Sequence, residues 1–360
     1  MLTLNLLFLL VATAQAKVLW LATTPQSPQP YALKKGRGIN QGSGTVGNIY
    51  PVTGNSSGGA FCILNTNGAG YSGGVGGFPH VHRKTYENFY AFKGRVQLWG
   101  QNVDSYKANT SIQTTRILGP GDFGAIPRNT IHTFNLMEPD TTLTGVLVPG
   151  GFEEFFFNFG GSFDPAALAK WDVYPQSDFV PRTDVVNGRA GPGNWYDGAN
   201  ALPPNASNPI WVAKNYGPKY ISAVGGRYTI INPFVTGVQT DNMFAQGTIT
   251  MSTPIKDKLL STGIKSTQPT AFMMEEGQLA VNVEGYDTAH LIEGDVVFIP
   301  GNTTFSFDAE ADYTKFMYVS GGGNGLDAMI IANATSTNSA FYPAVSTVPI
   351  DKRSEQAWRI

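Results

Sequence analysis

Apolar and polar residues alternate with a period of two in short runs along the whole 360-residue chain, as in Gly94-Arg95-Val96-Gln97-Leu98-Trp99 and Leu279-Ala280-Val281-Asn282-Val283. That period puts successive side chains on opposite faces of an extended strand, so the runs predict half-buried strands separated by Gly, Pro and Asn turns. The pattern is all-β. One stretch, Asp164-Pro165-Ala166-Ala167-Leu168-Ala169-Lys170-Trp171, departs from it: an Asp N-cap with Pro at the first helical position predicts a short helix between two strand-rich halves.

The two halves resemble each other. Gly121 to Phe134 aligns without gaps on Gly294 to Phe307, sharing the form G-D-x-x-x-I-P-x-N-T and ending on Phe in both copies. Self-similarity at half the chain length means a duplicated domain, since a solenoid repeats every 20–50 residues or so. Turn-then-strand segments of this kind suit jelly-roll β-barrels. The expected organisation is residues 1–16 as a leader, 17–150 and 210–350 as two barrels, 151–209 as a linker carrying the short helix, and 351–360 as a tail. Within that linker, Asn187 to Pro209 is rich in Gly, Pro and Asn.

Charged residues make up 14% of the chain and the formal net charge is -2. The 24 Lys and Arg are spread along the chain with no long basic run, and no nucleic-acid or acidic-polymer partner is expected. Residues 1–16 place an apolar run ahead of Ala14-Gln15-Ala16, the small-x-small form cut by signal peptidase, so the mature chain is expected to begin near Lys17 and to be secreted. The run from Leu4 to Val11 is far shorter than the roughly 20 residues a spanning helix needs, and no membrane partner is expected. Five N-x-S/T sequons, at Asn55, Asn109, Asn205, Asn302 and Asn333, fit a glycosylated export product. The single cysteine, Cys62, sits in an apolar run and reads as a buried strand thiol.

Histidine distribution carries the chemistry. The chain has 4 His, and three of them fall in His80-Val81-His82-Arg83-Lys84-Thr85-Tyr86-Glu87 and, within the duplicated motif, at His132. Residues two apart on a strand share a face, so His80 and His82 aim at one point. Glu87 has the opposite parity, which requires Arg83-Lys84-Thr85 to turn the chain before a new strand begins near Glu87. Three imidazoles with one carboxylate and no thiolate make a site for a borderline transition metal. The second half serves as a control: Phe305 stands where the first has His132, and sliding Gly277 onto Gly94 sets Gly263, Lys265 and Thr270 opposite His80, His82 and Glu87. No metal site is expected there. His290 reads as an isolated surface residue, Gly68 to Gly73 as a loop without the helix a phosphate site needs, and Phe152, Phe155, Phe156, Phe157 and Phe159 as mainly core.

His80-Val81-His82-x4-Glu87, then Gly94, then Gly121-Asp122-x4-Pro127-x4-His132-x2-Asn135 resemble the two motifs of the cupin superfamily. Pro79 to His82, Tyr86 to Tyr90, Gln97-Leu98-Trp99, Pro149 to Glu153, Pro181 to Asp184, Gly198 to Leu202 and Gly217 to Tyr220 are similar to fungal quercetin 2,3-dioxygenases. That resemblance implies an all-β bicupin with one Cu2+ in the first barrel, acting on a flavonol and O2 to give a depside and carbon monoxide. Copper(II) heads the divalent affinity order at N/O sites, and a carboxylate beside it can take the flavonol 3-hydroxyl proton, which gives Glu87 the roles of ligand and base. Phe134 shares a strand face with His132 and Phe89 with Glu87, so both are expected to line the pocket. The resemblance adds Leu64, Thr66, Leu143, Gly145, Leu147 and Phe152, with Gly145 leaving room for a flat ring. Two alternatives stay open on the residues alone: a manganese oxalate oxidase or decarboxylase, and a non-catalytic binding bicupin. A homodimer is likewise left open.

Overall fold

In the computed structural model, residues 16–43, 46–70, 77–110, 113–158, 164–183, 202–205, 207–224, 227–252, 263–337, 339 and 342 are described. The leader through residue 15, most of the stretch from Asn187 to Pro209 and the 351–360 tail lie outside them.

Each half pairs a large antiparallel sheet with a small one. In the first, the small sheet runs Tyr174–Pro175, His80–Val81, Thr130–Leu136, Val96–Asn102, Thr114–Leu118. Its large sheet runs Ile210–Val212, Phe123–Ile126, Tyr86–Lys93, Thr141–Val148, Cys62–Gly68, Val46–Val52, Ile39–Ser43. In the second half the small sheet is Ile264–Lys265, Thr304–Ala309, Gln278–Val283, Ala289–Ile292. The large one orders Tyr31–Leu33, Val296–Ile299, Thr270–Glu276, Thr314–Gly321, Phe244–Met251, Arg227–Val235, Lys219–Val224, Thr335–Thr337. Neighbouring strands are mostly non-consecutive, the crossover pattern of a jelly roll, and the all-β bicupin expectation holds. The predicted helix forms at Pro165–Ala169, with the Asp164 side chain accepting from the Ala167 N–H.

Alternation along Tyr86–Lys93 explains how two barrels share one body. Phe89 and Ala91 point into the first barrel and pack with Leu98, Phe134 and Leu143. The alternate residues point the other way: Tyr86 and Tyr90 join Phe234, Phe244, Met273 and Phe298 in a core between the two large sheets. Within it Asn88 donates to the Gln246 side chain at 3.1 Å. A strand buried on both faces leaves little room for charge, in line with the low charged fraction.

The expected barrel limits of 17–150 and 210–350 need correction, because the halves exchange an edge strand. Tyr31–Leu33 pairs with Val296–Ile299 of the second half, with Tyr31 opposite Phe298. Ile210–Val212 pairs with Phe123–Ile126 of the first, with Ile210 opposite Ala125. The repeated Gly-Asp of the duplicated motif clasps each exchanged segment: Asp122 accepts from the Lys214 N–H at 2.8 Å and Asp295 from the Lys35 N–H at 2.9 Å. Three-residue strands are too short to show a period, so sequence pattern cannot assign them to a sheet.

Pairing also fixes the internal comparison. Opposite His132 stands His80; opposite Phe305 stands Ile264. Glu87 pairs with Ile126, as Thr270 pairs with Ile299. The gap-free expectation is therefore right at Thr270 and one residue off earlier: Ile264 and Ser266, in place of Gly263 and Lys265, correspond to His80 and His82. The second turn is one residue shorter. Ile, Ser, Thr and Phe offer no ligand set, and Phe272 and Phe307, 5.3 Å apart, fill the space where Phe89 and Phe134 lie 5.8 Å apart.

Candidate metal centre

His80 and Val81 form a two-residue strand, the chain bends at Arg83 and Lys84, and a new strand starts at Tyr86, as parity requires. His132 enters from Thr130–Leu136, directly opposite His80. One ligand atom from each of His80, His82, Glu87 and His132 lies within 4.8 Å of the others. His82 Nε2 is 3.1 Å and His132 Nε2 2.9 Å from Glu87 Oε2, and the Nε2 atoms of His80 and His82 are 3.1 Å apart.

The other ring nitrogens decide what these contacts mean. His80 Nδ1 lies 2.7 Å from the Phe78 carbonyl, His82 Nδ1 2.8 Å from the Asp172 carbonyl, and His132 Nδ1 3.0 Å from the Thr130 carbonyl. A carbonyl only accepts, so each Nδ1 donates to its carbonyl and each ring turns its Nε2 inward. Burial pushes the His80 imidazole well below its ordinary value, and the neighbouring His132 and His82 rings push it further. Burial raises the Glu87 carboxyl, but hydrogen bonding from His132 and His82 more than offsets this and holds it below the usual carboxylate range. Three Nε2 atoms and the Glu87 carboxylate therefore face one point within 4.8 Å of one another. A cation there would take the place of the protons they share, so the donor set fits a metal ion.

Around these ligands the wall is apolar. The Phe152 ring stands edge-on to His82 at 4.7 Å, and Phe89 lies 6.1 Å from His132. Thr141–Val148 carries Leu143, Gly145 and Leu147 opposite Thr66, Leu64 and Cys62 on one neighbour, while Gly145 and Leu147 face Phe89 and Glu87 on the other. The eight residues expected at the pocket stand on strands Cys62–Gly68, Tyr86–Lys93, Thr130–Leu136 and Thr141–Val148 or, for Phe152, in the turn after them, and two have close partners of their own. The Thr66 hydroxyl is engaged by Asn48 at 2.8 Å. The space over Gly145 is occupied by Leu64, whose Cδ2 would lie 2.9 Å from an added Cβ. In the second barrel the pair is inverted, with Tyr318 opposite Gly247.

No family model matches the chain. Over 329 residues it is 40% identical to "Quercetin 2,3-dioxygenase" of Aspergillus japonicus, covering 82% of this chain and 89% of that one. The chain belongs to the quercetin 2,3-dioxygenase family. A Bacillus subtilis relative of the same name is 30% identical over 151 residues, 41% of this chain and 40% of that one. Among solved structures, oxalate decarboxylase from Bacillus subtilis covers 84% of this chain and 78% of its own at 13% identity and a TM-score of 0.48.

In this family member His290 and Cys62 stand as expected outside the site. His290 is exposed and pairs with Glu310 at 2.9 Å, and Cys62 is a fully buried thiol that burial, then Glu153, pushes well above its ordinary value. Sequence reasoning missed the three carbonyls that fix the rings, because backbone acceptors leave no residue-type signal. It also missed Asp172, which lay in the supposed linker.

Proposed function

We propose that this chain is a secreted copper enzyme that opens the heterocyclic ring of flavonols with O2, giving a depside and carbon monoxide. The observation that carries the reading is the convergence of three Nδ1-anchored imidazoles and Glu87 on one point beneath an apolar wall. His80, His82 and His132 would hold the metal with Glu87. When bound, copper supplies Lewis acidity and one-electron redox capacity. Glu87, like His80, keeps about an eighth of its side chain accessible, so its carboxylate can meet the 3-hydroxyl of a docked flavonol as a proton acceptor. Phe89, Phe134, Leu143 and Phe152 favour a planar aromatic substrate and exclude water from the ionised ligand. A dicarboxylate such as oxalate needs a cation at the wall, and none of the eight pocket residues is cationic. A storage role does not account for one complete ligand set beside an aromatic-filled duplicate.

Export is supported by Ala14-Gln15-Ala16 and by sequon position: Asn55, Asn109, Asn205 and Asn302 are exposed, and Asn333 is half-buried. The test is metal analysis of the purified protein together with carbon monoxide release from a flavonol panel under O2. Release in proportion to copper content supports the reading. Copper-loaded protein that leaves every flavonol intact overturns it.

A further inference from the structure

We infer that Asp172 is a positioning residue for the metal centre, holding His82 and Glu87 in register through one side chain and one carbonyl. The inference rests on the metal-enzyme reading above and extends it to a residue outside the ligand set. Its carboxylate accepts three successive backbone N–H groups, from Arg83 at 3.1 Å, Lys84 at 2.8 Å and Thr85 at 2.9 Å. These are the residues that reverse strand parity between His82 and Glu87. Its own carbonyl accepts the Nδ1–H of His82 at 2.8 Å, fixing the tautomer and ring direction. One residue therefore grips both ends of the turn that makes the site.

The backbone gives an independent reason to assign this role. The helix Pro165–Ala169 ends in a Schellman arrangement: the Asp172 N–H donates to the Ala169 carbonyl at 3.2 Å and the Val173 N–H to the Leu168 carbonyl at 3.2 Å. Leu168 and Val173 complete it as a buried apolar pair. The left-handed position of that motif normally takes Gly, and Asp172 occupies it with φ 60°. Among residues with a Cβ, Asp and Asn are the ones that tolerate this conformation. The helix end would be served by Gly; the carboxylate serves the turn.

This separates the positioning role from a structural one. Asp172→Gly suits the backbone and keeps the carbonyl on His82, yet leaves three N–H groups without their acceptor. Asp172→Asn retains one oxygen and tolerates the left-handed conformation. Partners of metal ligands are typically worth about 10–100-fold in metal affinity. The experiment titrates the metal-stripped full chain with Cu2+, and in parallel with Co2+, against a competing chelator, and records the electron paramagnetic resonance spectrum of the copper form. Expected affinities fall in the order wild type, Asp172→Asn, Asp172→Gly, with the glycine variant about 10–100-fold weaker and its copper spectrum altered, while melting temperatures of the apo proteins do not follow that order. Asp164→Ala, which removes the N-cap of the same helix, is the structural control and should leave affinity and spectrum unchanged. Wild-type affinity and spectrum in Asp172→Gly, or an equal loss in Asp164→Ala, would overturn the assignment. None of these readouts needs a flavonol, so failure of the substrate reading is told apart from failure of this one.

Discussion

His80 and His132 are register partners on adjacent antiparallel strands, with ring centroids 4.3 Å apart. The same pair in the second barrel is Ile264 and Phe305. Duplication supplied the frame twice, and only one copy carries imidazoles that are both opposed and anchored through Nδ1. His132→Ala is therefore expected to weaken metal binding by more than about 100-fold, beyond the 10–100-fold typical of an outer partner. His290→Ala, whose ring pairs with Glu310 at the surface, should bind metal as wild type does. Elemental analysis after dialysis at fixed free metal checks this, and equal metal content in the two variants would exclude the ligand set.

Metal identity is checked by reconstitution. Zinc suits a site of three imidazoles and a carboxylate, but it has no redox chemistry and acts only as a Lewis acid. Stripped protein given Cu2+ should recover flavonol cleavage, whereas zinc-loaded protein should bind the flavonol and turn it over at most about a hundredth as fast, a gap of about 2.7 kcal/mol in barrier. Comparable carbon monoxide release with both ions would reject redox participation by the metal.

The legible part of the fold and site was whatever recurs with a short period or involves rare residue types. Alternation gave strands, the G-D-x-x-x-I-P-x-N-T repeat gave two barrels, and three clustered histidines gave the ligands. Parity even required the turn at Arg83 to Thr85. What stayed hidden depends on contacts between distant segments: Tyr31 on Phe298, Ile210 on Ala125, and Asp172 beneath the turn. Tyr31 and Ile210 lie in three-residue strands whose own pattern is silent, because their conformation is imposed by the sheet they join, and Asp172 sits just past a helix end, where residue type does not name a partner so far along the chain. The one-residue slip at Ile264 has the same origin, since a deletion in a turn leaves both flanking strands intact.

Strand exchange makes a prediction about cooperativity. Phe298 is fully buried, stacks on Tyr31 at 5.5 Å and meets Phe61 edge-on at 6.0 Å, so it joins the exchanged strand to both large sheets. Phe298→Ala should cost about 3–5 kcal/mol, the usual range for a buried Phe. The loss should appear as one calorimetric transition moved to lower temperature, because the shared core leaves neither barrel a complete face of its own. Two resolved transitions, with the metal-bearing half unmoved, would mean that the halves fold independently.

The pocket wall can be tested without touching the ligands. Phe134 lies 5.8 Å from Phe89, and its ring would lie 3.6 Å from a Cβ added at Gly77. Phe134→Ala removes a flat apolar wall from a docked aromatic ring and none of the groups that handle protons. Its main effect should be on KM, raised by about 10-fold or more from roughly 1.5–3 kcal/mol of lost apolar contact, with kcat changed less. Steady-state kinetics on copper-loaded protein checks the split; an unchanged KM would move the substrate to another wall.

Glu87 is asked to do two things, and they can be separated. Glu87→Gln keeps nearly the same shape and leaves a carbonyl oxygen facing His82 and His132, but an amide cannot take up a proton as a carboxylate does. Each ring keeps its Nδ1 bond to Phe78, Asp172 or Thr130 in the variant, so the three Nε2 atoms still converge. Copper should therefore remain bound while turnover falls by about 10²-fold or more, the usual worth of a positioned base. Raising the pH until the flavonol 3-hydroxyl ionises in solution removes the need for that base, and part of the loss should return. The measurement is copper content and turnover of Glu87→Gln and wild type in parallel across pH. Near-normal turnover with copper retained would leave Glu87 a ligand only. In that case proton removal would have to fall to solvent, since none of the eight pocket residues carries a side chain that can take a proton at neutral pH.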